Sequence, residues 1–126
     1  MKMITGGAYQ GKSEFVKKHF DCEILDGESC DFEKVFTAEC VCNYHLLVKR
    51  LIENEQDAIA FTERLCRDNP EIIVIINEIG CGIIPLEKSE RIWREQTGRA
   101  GTVIAKNSDT VVRIICGIPT VIKGEI

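Results

Sequence analysis

No stretch of this chain is apolar for long. The longest uninterrupted run is residues 72–76, far short of the roughly 20 residues that cross a bilayer. The first five residues are too short for the apolar region of a signal peptide before Gly6 interrupts them, so the expected setting is the cytoplasm, with no membrane partner. Excess positive charge is missing too. A net charge of -4 argues against a nucleic-acid backbone as the partner. Low-complexity tracts and internal repeats are absent, and 44% of the residues are hydrophobic, which excludes a disordered chain. Seven cysteines, an odd number with no secretion signal, fit reduced thiols rather than a disulfide framework. At 126 residues the chain is long enough for one core and too short for a second module, so a single domain over 1–126 is expected.

What the chain does carry begins at Gly6. Gly6-Gly7-Ala8-Tyr9-Gln10-Gly11-Lys12-Ser13 fits the pattern G-x-x-x-x-G-K-S/T, in which glycines let successive backbone N–H groups point into one concavity at the start of a helix. In that reading Gly6, Gly7, Ala8 and Gly11 cradle the phosphates of ATP or GTP. Lys12 reaches the terminal phosphates and Ser13 holds Mg²⁺. The context agrees: residues 1–5 can form a strand, and 13–20 place Phe15, Val16, His19 and Phe20 at helical spacing. A glycine-rich turn with a chance lysine would not need that setting.

Further along, residues 22–25 read as a short strand and 26–33 as an acidic turn. Asp26 stands at the C-terminal end of that strand, where parallel sheets place ligand-contacting side chains, and is a candidate metal ligand. Residues 35–42 passing into 43–52 read as strand then helix. Asp57 is an expected N-cap for the helix that Asn69-Pro70 ends. Residues 71–76 read as a strand whose run at 72–76 is β-branched and uninterrupted, as a central parallel strand covered on both faces requires. The polar step Asn77-Glu78 follows at once, either as a core-edge feature or with Glu78 aimed at metal or a substrate hydroxyl. Gly80 and Gly82 then permit close backbone approach to a ligand.

A long helix over 86–105 is expected, with Ile92 and Trp93 on its apolar side and Gly98 and Gly101 weakening its middle. Lys88, Arg91, Arg94 and Arg99 fall on it. Arg91 and Arg94 share a face, and Arg99 offers a fork geometry suited to phosphate. Strands at 110–116 and 120–123, joined by Gly117-Ile118-Pro119, make an antiparallel hairpin. The sum is an α/β fold of P-loop NTPase type: a mostly parallel sheet flanked by helices, with a C-terminal antiparallel hairpin.

Two histidines and a cysteine pair need weighing. Cys40-x-Cys42-x-x-His45 has the donors of a zinc or redox cluster but no evident fourth ligand, so the cysteines are read as small buried hydrophobes. His19, on the stripe with Phe15 and Phe20, is read as packed; His45, near a predicted strand end, as packed or capping.

At Asn77-Glu78-Ile79-Gly80-x-Gly82-Ile83-Ile84-Pro85 the chain resembles the adenosylcobinamide kinase/adenosylcobinamide-phosphate guanylyltransferase family, which pairs that motif with a loop of the type T-G-G-A-x-x-G-K-S. The likeness continues through Arg91-Ile92-Trp93-Arg94-Glu95, Gly98-Arg99, Ser108-Asp109-Thr110-Val111, Gly117-Ile118-Pro119 and Lys123. The resemblance implies ATP- or GTP-dependent phosphoryl transfer to the corrinoid adenosylcobinamide, GMP transfer through a guanylylated histidine, and a homo-oligomer, a trimer. In a kinase reading the candidate catalytic residues are Lys12, Glu78 and Arg94, with Arg91 and Arg99 joining the loop at the nucleotide, and Ser13, Glu78 and Asp26 as candidate Mg²⁺ ligands.

Departures from the family narrow this. The segment that carries the guanylylated histidine is missing between the first helix and Cys40, so loss of the guanylyltransferase step is expected. The middle-strand acid of the family falls at Cys42, a poor ligand for a hard cation, and a Gly-Arg-x-Asn-Gln pattern becomes Gly98-Arg99-Ala100-Gly101-Thr102. A kinase-like enzyme and a nucleotide-binding protein with decayed catalysis and a regulatory or partner role therefore stand side by side.

Overall fold

A computed structural model describes residues 1–79 and 87–126. The elements run β1 Lys2–Gly6, α1 Lys12–His19, β2 Ile24–Asp26, a 3₁₀ turn Phe32–Thr37, β3 Cys40–Cys42, α2 Tyr44–Glu53, α3 Ala58–Asp68, β4 Ile73–Asn77, α4 Lys88–Asn107, β5 Thr110–Ile115 and β6 Ile118–Lys123. They build one six-stranded sheet in the order β2-β3-β4-β1-β5-β6. Pairing is parallel up to β5, and β6 returns antiparallel on the edge.

The alternation of side chains along each strand sorts the core into two layers. Met3, Val74, Ile76 and Val111 face the layer of α2, α3 and α4, where Tyr44, Leu47, Leu51, Leu65 and Ile104 are fully buried. Ile4, Ile73, Ile75, Val112 and Ile114 face the other way and pack with Phe15 and Val16 of α1. Residues 72–76 are apolar without a break because β4 is covered on both faces, as the sequence predicts.

Several boundaries move. The 3₁₀ turn at Phe32–Thr37 lies inside the stretch read as loop and strand, and the true strand β3 is only Cys40–Cys42. Asp31 caps that turn by accepting from Glu33 N at 3.2 Å. The chain reverses between β5 and β6 over Cys116 and Gly117 alone, with φ of 51° and 77°, the left-handed pair that a two-residue hairpin turn requires. Ile118 and Pro119, read as turn, therefore belong to β6. Trp93 packs on the core as expected, but Ile92 is 38% exposed. Helix α4 runs unbroken through Gly98 and Gly101, because its tertiary contacts with α3, α2 and β1 outweigh a weak local propensity. Lys123 donates to the carbonyls of Ala105 and Lys106 at 3.0 and 3.3 Å, closing the negative end of that helix.

Asp57 is the N-cap of α3: its Oδ1 accepts from Ile59 N at 3.0 Å and Ala60 N at 3.1 Å. Asp57→Ala leaves both amides to water, and an equilibrium urea titration should read a loss of about 1 kcal/mol with the slope unchanged. No described helix is long and apolar enough to cross a membrane.

Candidate functional site

Strand β1 delivers the chain to the centre of the sheet, and the Gly6–Lys12 connection turns there into α1. Gly11 takes φ 89° and Tyr9 φ 59°, left-handed values that swing the intervening amides toward one side. The first helical bond of α1 runs from Phe15 N to Gly11 O at 3.0 Å. That leaves the amides of Lys12, Ser13 and Glu14 at the positive end of the helix without an acceptor in it.

The loop is anchored from behind. Gly117 N donates to Gln10 O at 3.0 Å, and Cys116 N donates to the Gln10 side-chain oxygen, so the β5–β6 turn fixes the loop's far side.

In front of the loop lies a cleft of about 390 Å³ whose walls include Ala8, Gln10, Lys12 and Ser13 on one side and Cys42, Asn43, His45 and Asn77 on the other. Lys12 is only 7% exposed and its ammonium donates to Gly7 O at 2.5 Å. Burial pushes its pKa below the ordinary lysine value, and the Glu78 carboxylate opposes that shift. A buried ammonium beside first-turn amides makes a site for anionic oxygen.

The opposite wall is set by β4 lying between β3 and β1. Asn77 pairs in register with Gly6, and Glu78 N donates to Gly6 O at 2.7 Å, so the end of β4 is fixed to the start of the loop. Across β4, β3 runs into α2 through Asn43, which takes φ 53°, and the second residue of that helix is His45. Its ring is 6% exposed. Asn77 N donates to His45 Nδ1 at 3.3 Å, and the Trp93 indole donates to His45 O at 2.7 Å. Burial, aided by the Lys12 charge, lowers the His45 pKa to about 4, so the imidazole is neutral at physiological pH.

The structure gathers some of the residues expected from sequence and separates others. Gly6, Gly7, Ala8, Gly11, Lys12 and Ser13 form the loop and its helix start. Glu78 lies close enough to influence Lys12, yet its carboxylate takes Arg113 in a bidentate pair, at 2.8 Å to Nε and 3.0 Å to Nη2, outside this cleft. Asp26 ends the edge strand β2, which β3 and β4 separate from β1, and its Oδ1 accepts from Glu28 N at 2.9 Å and Asn43 Nδ2 at 3.0 Å. Arg91, Arg94 and Arg99 ride on α4, and none of the three lines the cleft. Gly80 and Gly82, expected to approach a ligand, lie outside the described residues, as does Leu86 where the long helix was expected to start.

Among the described residues no group of three or more His, Cys, Asp or Glu comes together to hold a metal ion, so Cys40, Cys42 and His45 do not make the cluster their spacing allows. Cys40 packs among the apolar residues under α1, and burial raises its thiol pKa well above normal. His19, expected to pack, stacks on Phe15 at 4.2 Å with Nδ1 against Phe15 O at 3.0 Å but is otherwise exposed to solvent. His45 is packed as well, but against the cleft. The available signal was its place just beyond the C-terminal end of a strand, where α/β sheets build their crevices.

The donors in the cleft bear on Mg²⁺. The Ser13 hydroxyl fits a hard cation, whereas the only carboxylate among the described lining residues is that of Glu14, on the exposed side of α1. The Cys42 thiol is pushed up by burial and by Asp26 and stays protonated. Such a set suits a cation carried in largely on phosphate oxygens and water.

A family model described as cobinamide kinase / cobinamide phosphate guanyltransferase matches residues 30–122 of the chain. The bifunctional adenosylcobalamin biosynthesis protein CobP of Pseudomonas aeruginosa is 33% identical over 54 residues, which are 43% of this chain and 31% of that protein. The chain thus matches under a third of this relative's length. The family match begins beyond Gly6–Ser13, so the loop stands on its own sequence and geometry.

Proposed function

Because the chain belongs to the cobinamide kinase / cobinamide phosphate guanyltransferase family, a family of P-loop fold, we propose that it binds ATP or GTP with Mg²⁺ at the Gly6–Ser13 loop and transfers the terminal phosphoryl group to adenosylcobinamide in cobalamin biosynthesis. The observation that carries this reading is the buried Lys12 at the start of α1, facing a cleft at the C-terminal ends of β1, β3 and β4. Phosphoryl transfer needs positioning and charge neutralisation more than covalent chemistry from the protein. Lys12 and the first-turn amides of α1 neutralise phosphate charge, and Ser13 is the group that would hold Mg²⁺, which would supply further neutralisation of phosphate charge there. Glu78 works through its effect on Lys12 or, released from Arg113, on the metal or the acceptor hydroxyl. Asp26 retains a place only as an outer support, through Asn43. Arg91, Arg94 and Arg99 would meet charge at the α4 side of the substrate. The guanylyl step is proposed to be absent: the segment in which the family carries the guanylylated histidine is missing before Cys40, and His45 Nδ1 accepts a backbone N–H, which leaves the ring proton on Nε2 and takes away the nucleophilic lone pair. Assembly as a homo-oligomer, a trimer, and a cytoplasmic setting belong to the same proposal; exposed Ile118, Val121 and Ile122 on β6 favour the former.

A second reading, nucleotide binding with decayed catalysis and a regulatory or partner role, is favoured by one observation: Cys42 stands in the cleft at the end of β3, and no carboxylate comes from that strand. One assay separates the two. With Mg²⁺ and adenosylcobinamide, γ-labelled ATP or GTP should pass label to the corrinoid, while α-labelled GTP leaves no covalent label on the protein. Nucleotide binding with an unlabelled corrinoid would replace the kinase by the binding protein, and a GMP adduct would restore the transferase.

A further inference from the structure

We propose that His45 reads the terminal phosphate of the nucleotide, donating to it from Nε2–H and so favouring a triphosphate over a diphosphate. The inference rests on the nucleotide reading of the cleft given above. The tautomer follows from the partner. A backbone N–H can only donate, so Nδ1, which receives Asn77 N at 3.3 Å, must be the acceptor, and the proton of the neutral ring sits on Nε2. No hydrogen bond among the described residues engages Nε2, and the ring lines the cleft.

The ring is also held in register with the loop. Asn77, whose amide orients it, is the β4 partner of Gly6, the residue from which the loop departs. The indole of Trp93 fixes the His45 carbonyl at 2.7 Å, and its ring lies 28° from parallel to the imidazole, 6.5 Å away. His45 therefore faces the loop across the cleft as a preset donor. Loop amides cradle the inner phosphates and the loop lysine reaches outward; a group on the opposite wall, near enough to feel the Lys12 charge, meets the outermost phosphate. Being neutral, the imidazole adds a directed hydrogen bond without a second positive charge beside Lys12.

The test is a calorimetric titration of wild type, His45→Phe and His45→Gln with a non-hydrolysable GTP or ATP analogue and with GDP or ADP, all with Mg²⁺. Phe keeps an aromatic ring and removes the donor; Gln restores an N–H. Expected is a loss of about 10- to 100-fold for the triphosphate in His45→Phe, the scale of a hydrogen bond to a charged group. Diphosphate affinity should stay within about 2-fold, and His45→Gln should recover part of the triphosphate affinity. Equal losses for both nucleotides, or no loss, overturn the proposal.

Should His45→Phe fail to fold, ¹⁵N imidazole spectra of wild type decide. The His45 Nε2 resonance should move with triphosphate and not with diphosphate, and a resonance that stays put for both overturns the assignment. Wild type that binds neither nucleotide overturns the nucleotide reading itself, which is a different outcome from binding that ignores His45.

Discussion

Lys12→Ala is expected to weaken nucleotide binding by roughly 100-fold while leaving the fold intact. The Lys12 ammonium is buried, donating to Gly7 O at 2.5 Å, with the Glu78 carboxylate acting from a distance. A charge held there is costly to the free protein, as its lowered pKa reports. Removing it therefore relieves desolvation in the folded chain, and alanine is a good residue for the first turn of α1. Binding behaves in the opposite way. A phosphate that settles against the first-turn amides loses the buried Lys12 counter-charge, an interaction worth about 3 kcal/mol, or roughly 100-fold in Kd. Calorimetric titration with GTP and ATP should show that loss, and thermal unfolding should show a midpoint equal to or above wild type. Retained binding at wild-type affinity would remove Gly6–Ser13 from the site. Lys12→Arg is not a rescue, because a planar fork cannot replace a compact ammonium in a pocket closed by Gly7.

Gly6→Ala is expected to damage the fold at the point where the site begins. Gly6 closes β1 with φ 151°, and an added methyl would overlap the backbone carbonyl oxygen of Ile114. These two residues are partners in the parallel β1–β5 ladder, so neither backbone can withdraw without opening the sheet beneath the loop. Overpacking of this kind should cost about 3 kcal/mol, or roughly 10 °C in Tm, read by urea and thermal unfolding. The same substitution at Gly98 supplies the contrast, since nothing lies within 4 Å of a methyl built there and the helix gains from it, by up to about 1 kcal/mol. If both variants unfold alike, the steric argument at Gly6 fails.

Much of the fold was legible before any coordinates because its signals are local. The Gly6–Ser13 pattern, the Asp57 cap, the apolar run at 72–76 and the shift to a short final hairpin each depend on a few neighbouring residues, and each element formed. The 3₁₀ turn at Phe32–Thr37 escaped because its aromatic and apolar residues carry no clear period; Phe32 and Phe36 are placed by packing against Phe61 of α3, at 6.1 and 4.9 Å. The site was half legible for the same reason. One wall is a contiguous loop whose residues announce themselves, and the other is assembled from the ends of two strands and the start of a helix.

Sequence alone thus determined that this chain would build an α/β sheet around a glycine-rich loop, since strand and helix periods and turn residues act over a few positions. Only the tertiary structure decided what faces that loop. Inserting β4 between β1 and β3 brings Asn77 and His45 to the cleft and leaves Asp26 on the edge, with β3 and β4 between it and β1. The neighbouring β5 presents Arg113, and Glu78 turns to it rather than to Ser13. Strand order and register join residues tens of positions apart, and no local period records them.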